Sequence, residues 1–233
     1  MLREVLFSII IFMLAATSSI FIILLIYVLR LIKISTKLKA KQYASFNEDC
    51  EKNKIVFLGD SLTEFYQVDE FFHKHQVYNR GIASDTTEGV LNRLEDNVIV
   101  MEPTKIFLQI GTNDYDEGKN NDDIFNNINR ILSILKERLP NTKLYLISLY
   151  PINRKVKIYS KFFTGKRRNS NIQALNLRLQ ENYLNSDITF IDVYSYLTDE
   201  KQSLKKEYSV EGLHISYLGY TLITNILLPY IEE

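Results

Sequence analysis

Cysteine is nearly absent from this chain. Cys50 stands alone in 233 residues, which excludes an internal disulfide framework and any Cys-rich zinc or iron–sulfur site. A lone thiol leaves the compartment open, because secreted chains also do without bridges. Eight glycines and four prolines exclude collagen-like and Pro-rich disordered classes. An excess of either charge is missing too: 28 basic residues balance 28 acidic ones, which excludes a strongly basic nucleic-acid binder for the chain as a whole. Histidine is scarce, at three residues. Two of them, His73 and His75 in FFHKHQ, lack nearby Asp, Glu or Cys in a ligand pattern and read as solvated surface rather than a metal site. What remains is a chain 46% hydrophobic, long enough for one ordinary domain with a full core and a small appendage.

The balanced charge conceals two different regions. Residues 1–42 carry Arg3, Arg30, Lys33, Lys37, Lys39 and Lys41 against Glu4, which leaves 22 basic and 27 acidic residues in the remainder, a net of −5. Within the basic region, Val5 to Leu29 is a run of 25 uncharged residues. As a helix rising about 1.5 Å per residue it exceeds the roughly 30 Å hydrocarbon core of a bilayer. A cleaved signal peptide is the rival reading, with Ala15-Ala16-Thr17-Ser18-Ser19 imitating a cleavage site. Such a signal has an apolar stretch of only about 7–15 residues, so the expectation is an uncleaved transmembrane anchor over 5–29. Five basic residues in the twelve positions after the span favour a cytoplasmic C-terminal domain by the positive-inside tendency. They also suit an anionic leaflet surface. The expected organisation is an anchor at 1–30, a basic then polar linker at 31–53, and one soluble domain at 54–233.

In that domain short apolar runs at 54–59, 76–81, 104–111, 143–150 and 188–193 read as buried strands. Between them lie segments of helical spacing: 86–101, with Thr86 or Thr87 as cap and Val90, Leu91, Leu94 and Val98 as a stripe; 121–139; 171–184; and 216–231. Alternation of this kind means an α/β fold, a parallel sheet covered on both faces by helices. Ligands of such sheets sit beyond the C-terminal ends of the strands.

Three strand ends carry notable residues. Ser61 in GDSLTE (59–64) is either a helix N-cap or a nucleophile at a helix start, where backbone N–H groups favour an oxyanion. Gly81 in NRGI (79–82) either lets backbone approach a ligand or satisfies a turn. Asn113 in GTND (111–114) either points an amide donor into the cleft or forms a turn. Far downstream, EGLHIS (211–216) places His214 beside a helix start with an acid three residues earlier, where Glu211 can hold the imidazole through Nδ1.

These four blocks, GDSLTE, NRGIASDTT, GTND and the region around His214, resemble in order those of the SGNH (GDSL-like) hydrolases, a superfamily of esterases, lysophospholipases and platelet-activating factor acetylhydrolase-like proteins. The resemblance runs from about residue 54 to the end. It implies a three-layer, flavodoxin-like α/β/α sandwich with a five-stranded parallel sheet. It also implies Ser61 as nucleophile, His214 as base, and the Ser61 N–H, the Gly81 N–H and the Asn113 amide as oxyanion donors, with no cofactor and no metal. Two positions depart from the family pattern. Glu211 stands where the family has Asp, so the site is either a triad with a longer acid or a Ser–His dyad. Ser84 stands where relatives often have a second Gly.

After the fourth strand, residues 154–168 hold seven basic residues and no acid, interleaved with Tyr159, Phe162 and Phe163. This run is either a solvated loop or a site for anionic substrate or headgroups with an interfacial cover. A nucleic-acid role does not fit the acidic remainder. The expectation is a membrane-anchored serine esterase acting on an acyl ester, such as that of an O-acetylated glycan or a lipid, through an acyl-enzyme. Transfer to a sugar acceptor and a non-catalytic binding module are the alternatives.

Overall fold

The computed structural model describes residues 2–233, the side chain of Leu29 excepted; Met1, first residue of the expected anchor, lies outside the described residues. The elements are, in order, α1 (Leu2–Glu48), β1 (Ile55–Gly59), α2 (Ser61–Glu64), α3 (Val68–Phe71), β2 (Val77–Gly81), α4 (Thr87–Asn97), β3 (Lys105–Gln109), α5 (Asn121–Arg138), β4 (Lys143–Ile147), α6 (Ser160–Thr164), α7 (Asn169–Tyr183), β5 (Ile188–Ile191), α8 (Tyr194–Leu197) and α9 (Tyr217–Glu232). The five strands form one parallel sheet in the order β2-β1-β3-β4-β5.

Successive side chains of a strand point to opposite faces, and the sheet builds two cores that way. Val56, Leu58, Ile106, Leu108, Leu144 and Leu146 pack under α4, α5 and α7. Phe57, Phe107, Tyr145 and Ile147 face the layer holding α2, α3, α8 and α9. On this second face Phe72, Phe57, Phe107 and Tyr145 stack in a row, with ring centroids 5.5, 4.9 and 4.5 Å apart. The result is the expected three-layer sandwich.

The strands stop earlier than their apolar runs. Ile110, Leu149 and Val193 are fully buried but lie past the ends of β3, β4 and β5. The chain has left the ladder there, and helices rather than neighbouring strands cover these residues. Likewise the helical stripe at 86–101 breaks: α4 ends at Asn97 and a 3₁₀ turn covers Ile99–Met101.

The largest difference lies at 31–53, expected as a linker. Helix α1 runs unbroken through this region to Glu48. Its last turns lack an apolar period, yet they dock on the domain through polar contacts that periodicity cannot register. Tyr43 donates to Gly81 O at 3.1 Å and Asn47 to Asp96 O at 2.7 Å. Asn97 donates to Ala40 O at 2.9 Å, and Arg80 donates to Asn47 Oδ1 from Nε and Nη2. The N-terminal part is different. Its apolar side chains are exposed along the span, and the helix is long and apolar enough to cross a membrane by length and composition.

Candidate active site

Ser61 opens the single turn of α2 just past β1. Asp60 caps that turn, accepting from Leu62 N at 2.9 Å. Its other carboxylate oxygen has no protein partner. Burial pushes the Asp60 carboxyl up to about 7, against the opposing pull of the Leu62 hydrogen bond and Arg167. A four-residue helix contributes little macrodipole; what it offers an anion is the N–H of Ser61, which donates to no other group among the described residues.

His214 and Glu211 come from the loop before α9. His214 Nε2 lies 3.2 Å from Ser61 Oγ. Its Nδ1 lies 2.7 Å from Glu211 Oε1, which also accepts from the His214 backbone N–H at 3.0 Å. The Glu211 side chain is 6% exposed. Between them the loop turns tightly at Gly212, which has φ +110°, and a side chain there would meet Asn153 O at 2.1 Å. Asn153 N donates to Gly212 O at 2.8 Å and ties the loop to the exit of β4. A line from carboxylate to imidazole to hydroxyl fixes the tautomer with Nε2 toward the serine.

Asn113, in the turn after β3, is held at both ends. Its Nδ2 donates to Asp85 O at 2.9 Å, and its Oδ1 accepts from Arg167 Nη2 at 2.6 Å. One amide hydrogen is left to point elsewhere. Arg167 is the residue the sequence reading missed. Counted there within a basic run, it is 3% exposed. It also donates to Thr112 O at 2.9 Å and pairs with Asp116, so it clamps the end of the 154–168 segment onto the Asn113 turn. Only its partners, distant in sequence, reveal that role.

Gly81 does not fit its expected part. Its N–H donates to Asn79 Oδ1 at 2.8 Å, so it has no hydrogen left for an oxyanion. A side chain at Gly81 would meet the backbone of Glu64 at 2.2 Å, and glycine is required there for β2 to touch α2. Backbone donors in the loop that follows are committed in turn. Ile82 N donates to Gly59 O and Asp85 N to Ile82 O, while Ala83 N donates to Glu64. Ser84 N–H alone in this loop has no acceptor among the described residues, and Ser84 has φ +65°, a conformation that glycine adopts without strain. That explains why a second Gly suits this position. Below the loop, Asp85 and Arg93 form a buried pair at 2.7 Å, and Arg93 reaches Gly59 O at 3.1 Å.

Beside His214 lies a groove of about 380 Å³, walled by Phe65, Phe71, Val210, Tyr217 and Tyr220. The Phe65 ring sits 5.2 Å from the imidazole centroid. The site thus joins a hydroxyl with a base in reach, free N–H donors and an apolar wall.

Residues 57–222 match the model of the GDSL-like Lipase/Acylhydrolase family. The alpha1 subunit of platelet-activating factor acetylhydrolase IB from Bos taurus is 26% identical over 189 residues, covering 75% of this chain and 73% of that protein. N-acylneuraminate cytidylyltransferase of Escherichia coli is 28% identical over 182 residues, or 77% of this chain; the match spans only 40% of that relative's length. Among solved structures, a platelet activating factor protein from Streptococcus pneumonia superposes with TM-score 0.82 at 29% identity, covering 88% of this chain and 96% of that one. A GDSL-like lipase from Bacteroides thetaiotaomicron superposes with TM-score 0.73 at 26% identity, covering 83% and 97%. With the four sequence blocks gathered at one sheet edge, these matches place the chain in the GDSL-like lipase/acylhydrolase family of ester-bond hydrolases.

Proposed function

We propose that the protein is a membrane-anchored serine esterase that releases a small or medium acyl group through a covalent acyl-enzyme. The observation that carries this reading is the hydrogen-bonded line Glu211–His214–Ser61. Ser61 Oγ attacks the ester carbonyl while His214 Nε2 takes its proton, and the buried Glu211 carboxylate stabilises the imidazolium. The oxyanion is held by the Ser61 N–H, the free Asn113 amide hydrogen and the Ser84 N–H, which replaces Gly81. His214 then returns the proton to the leaving alcohol as the C–O bond breaks. Water attacks the acyl-Ser61 ester, His214 takes its proton, and Ser61 leaves with that proton as the acid departs. The contact at Nδ1 supports a triad over a dyad. The groove beside His214 supports an acyl or alcohol group with an apolar part, and the relatives named as acetylhydrolases support a short acyl chain.

For the span, the unbroken α1 supports retention of residues 5–29, and the basic residues after it support a cytoplasmic domain. The test uses the full chain in detergent. A fluorophosphonate probe labels the wild type, and a p-nitrophenyl ester series from acetate to palmitate reads its chain preference. Ser61→Ala loses both labelling and turnover while staying folded. Near-wild-type turnover by that variant overturns the assignment.

A further inference from the structure

Helix α1 meets the domain along a ladder of contacts. Glu51, just after the helix, donates from its N–H to Tyr78 OH at 3.1 Å. Asn47 meets Arg80, Tyr43 meets Gly81 O, Lys39 pairs with Glu64, and Thr36 reaches Ala83 O at 3.3 Å. As the α1 number falls, its partner moves toward and past the C-terminal end of β2. The helix therefore runs against β2 and leaves the domain at the edge where Ser61, Asn113 and His214 lie. From Thr36, level with the 81–85 loop, to Leu29, the end of the uncharged run, is seven residues, or about 10 Å of helix. The polar regions add about 10–15 Å over both leaflets to a roughly 30 Å core, or about 5–8 Å on each side, so the 81–85 loop stands at the outer limit of the headgroup layer.

The same edge carries a second feature on the far side of the site. The sheet order puts β2, with α1 beside it, at one margin, and β4 and β5 at the other. The segment after β4 exposes Ile158 (99%) and Phe162 (85%), flanked by exposed Lys155, Lys157, Lys161 and Lys166. Large apolar side chains held in water among lysines form the pattern of a peripheral contact with anionic lipid. Outside this segment residues 43–233 carry 15 basic and 27 acidic residues, so the segment is the basic face of an otherwise acidic domain. Ser61, after β1, and Asn113, after β3, lie between the two margins.

We infer that the bilayer from which α1 emerges is also the surface on which Ile158 and Phe162 rest, so that the catalytic mouth opens against it and takes esters presented at the membrane surface. This rests on the reading of residues 5–29 as a span and of Ser61 as nucleophile. The helix sets the height and the 155–163 loop sets the tilt.

The chain has no tryptophan, so one introduced residue is a sole reporter. Full-length Phe162→Trp is reconstituted in phosphatidylcholine–phosphatidylglycerol vesicles with brominated phosphatidylcholine. Its emission is expected to be quenched. Leu184→Trp, an exposed residue just past α7 at the opposite edge, stays unquenched. No quenching at 162, or equal quenching at both sites, overturns the inference, including the case in which a second copy covers Phe162. A second measurement uses Ile158→Asp with Phe162→Asp. Hydrolysis of vesicle-embedded 4-methylumbelliferyl palmitate falls at least tenfold, while hydrolysis of soluble p-nitrophenyl acetate by the same vesicles stays within twofold of wild type. A parallel fall of both activities overturns the inference, because the loop then acts on the site itself. A wild type that takes neither ester nor the fluorophosphonate probe rejects the esterase reading, and the quenching pattern still decides the orientation.

Discussion

The two sides of the cleft are built in different ways. On the side of the proposed nucleophile, Ser61 follows β1 closely, and His214 and Glu211 share one loop, where a three-residue spacing brings carboxylate and imidazole together at 2.7 Å. On the side of the proposed oxyanion donors, three separate segments must agree. Asn113 is aimed by Asp85 O from one and by Arg167 from another, and the N–H of Ser84 is left without an acceptor among the described residues by the turn of its own loop. On the first side the carboxylate–imidazole pair is local, and its single contact with Ser61 is the long-range step. The second is a consensus among distant parts, and it is correspondingly open to disruption by residues that touch no substrate.

That contrast is sharpest where losses should be greatest. His214→Ala removes the base and is expected to lower kcat by about 10⁶-fold, as losses of a base within such a unit do. Glu211→Gln keeps the shape but not the charge, and the expected fall is about 10⁴-fold. A loss below about tenfold, under roughly 1.4 kcal/mol of barrier, with a dead His214→Ala, would leave a dyad, with Glu211 holding only the loop through the His214 N–H. Both are read from kcat on p-nitrophenyl acetate.

On the donor side Asn113→Ala is expected to lower kcat by about 10²–10³-fold with a smaller change in KM. A change confined to KM would make Asn113 a substrate-binding residue. Arg167→Lys keeps a charge but cannot reproduce the planar fork that reaches Thr112 O, Asp116 and Asn113 together. Its expected cost is about tenfold in kcat at unchanged KM; a drop in thermal midpoint without a kcat effect would assign Arg167 to stability alone.

The effect with least bearing on turnover concerns Asp60. Its carboxyl, pushed up to about 7 chiefly by burial, resists ionising in the folded state more than in the unfolded chain. Folding stability therefore declines as pH rises from about 4 to about 7, the window between the ordinary and the folded values. Asp60→Asn retains a capping side chain and removes the ionisation, so its urea midpoint should exceed that of the wild type at pH 8 and match it more closely at pH 5. Parallel midpoints at both pH values would refute the buried-carboxyl account.

The sequence by itself determined the elements that repeat a local pattern. Five apolar runs and the stripes between them specify strands and helices, because periods of 2 and 3.6 are written in neighbouring residues. Ser61 and His214 were legible through the resemblance of their short blocks to the SGNH pattern, and Glu211 through its three-residue spacing from His214; spacing alone left Ser61 open between nucleophile and N-cap. Tertiary structure decided what depends on partners far away in the chain. Only the fold joined Ala83 N to Glu64 and Asn113 to Asp85 O and left the Ser84 N–H free, since allocating a hydrogen bond requires knowing every competing acceptor. Only the fold buried Arg167 out of a run of basic residues, by supplying Asp116, Thr112 O and Asn113 Oδ1 to meet its charge. Residues 31–48 read as a linker because their docking is polar and pairwise, with Tyr43 and Asn47 finding partners some 35 residues or more away. Hydrophobic periodicity records which face of an element is buried; it carries no record of which donor meets which acceptor across the chain.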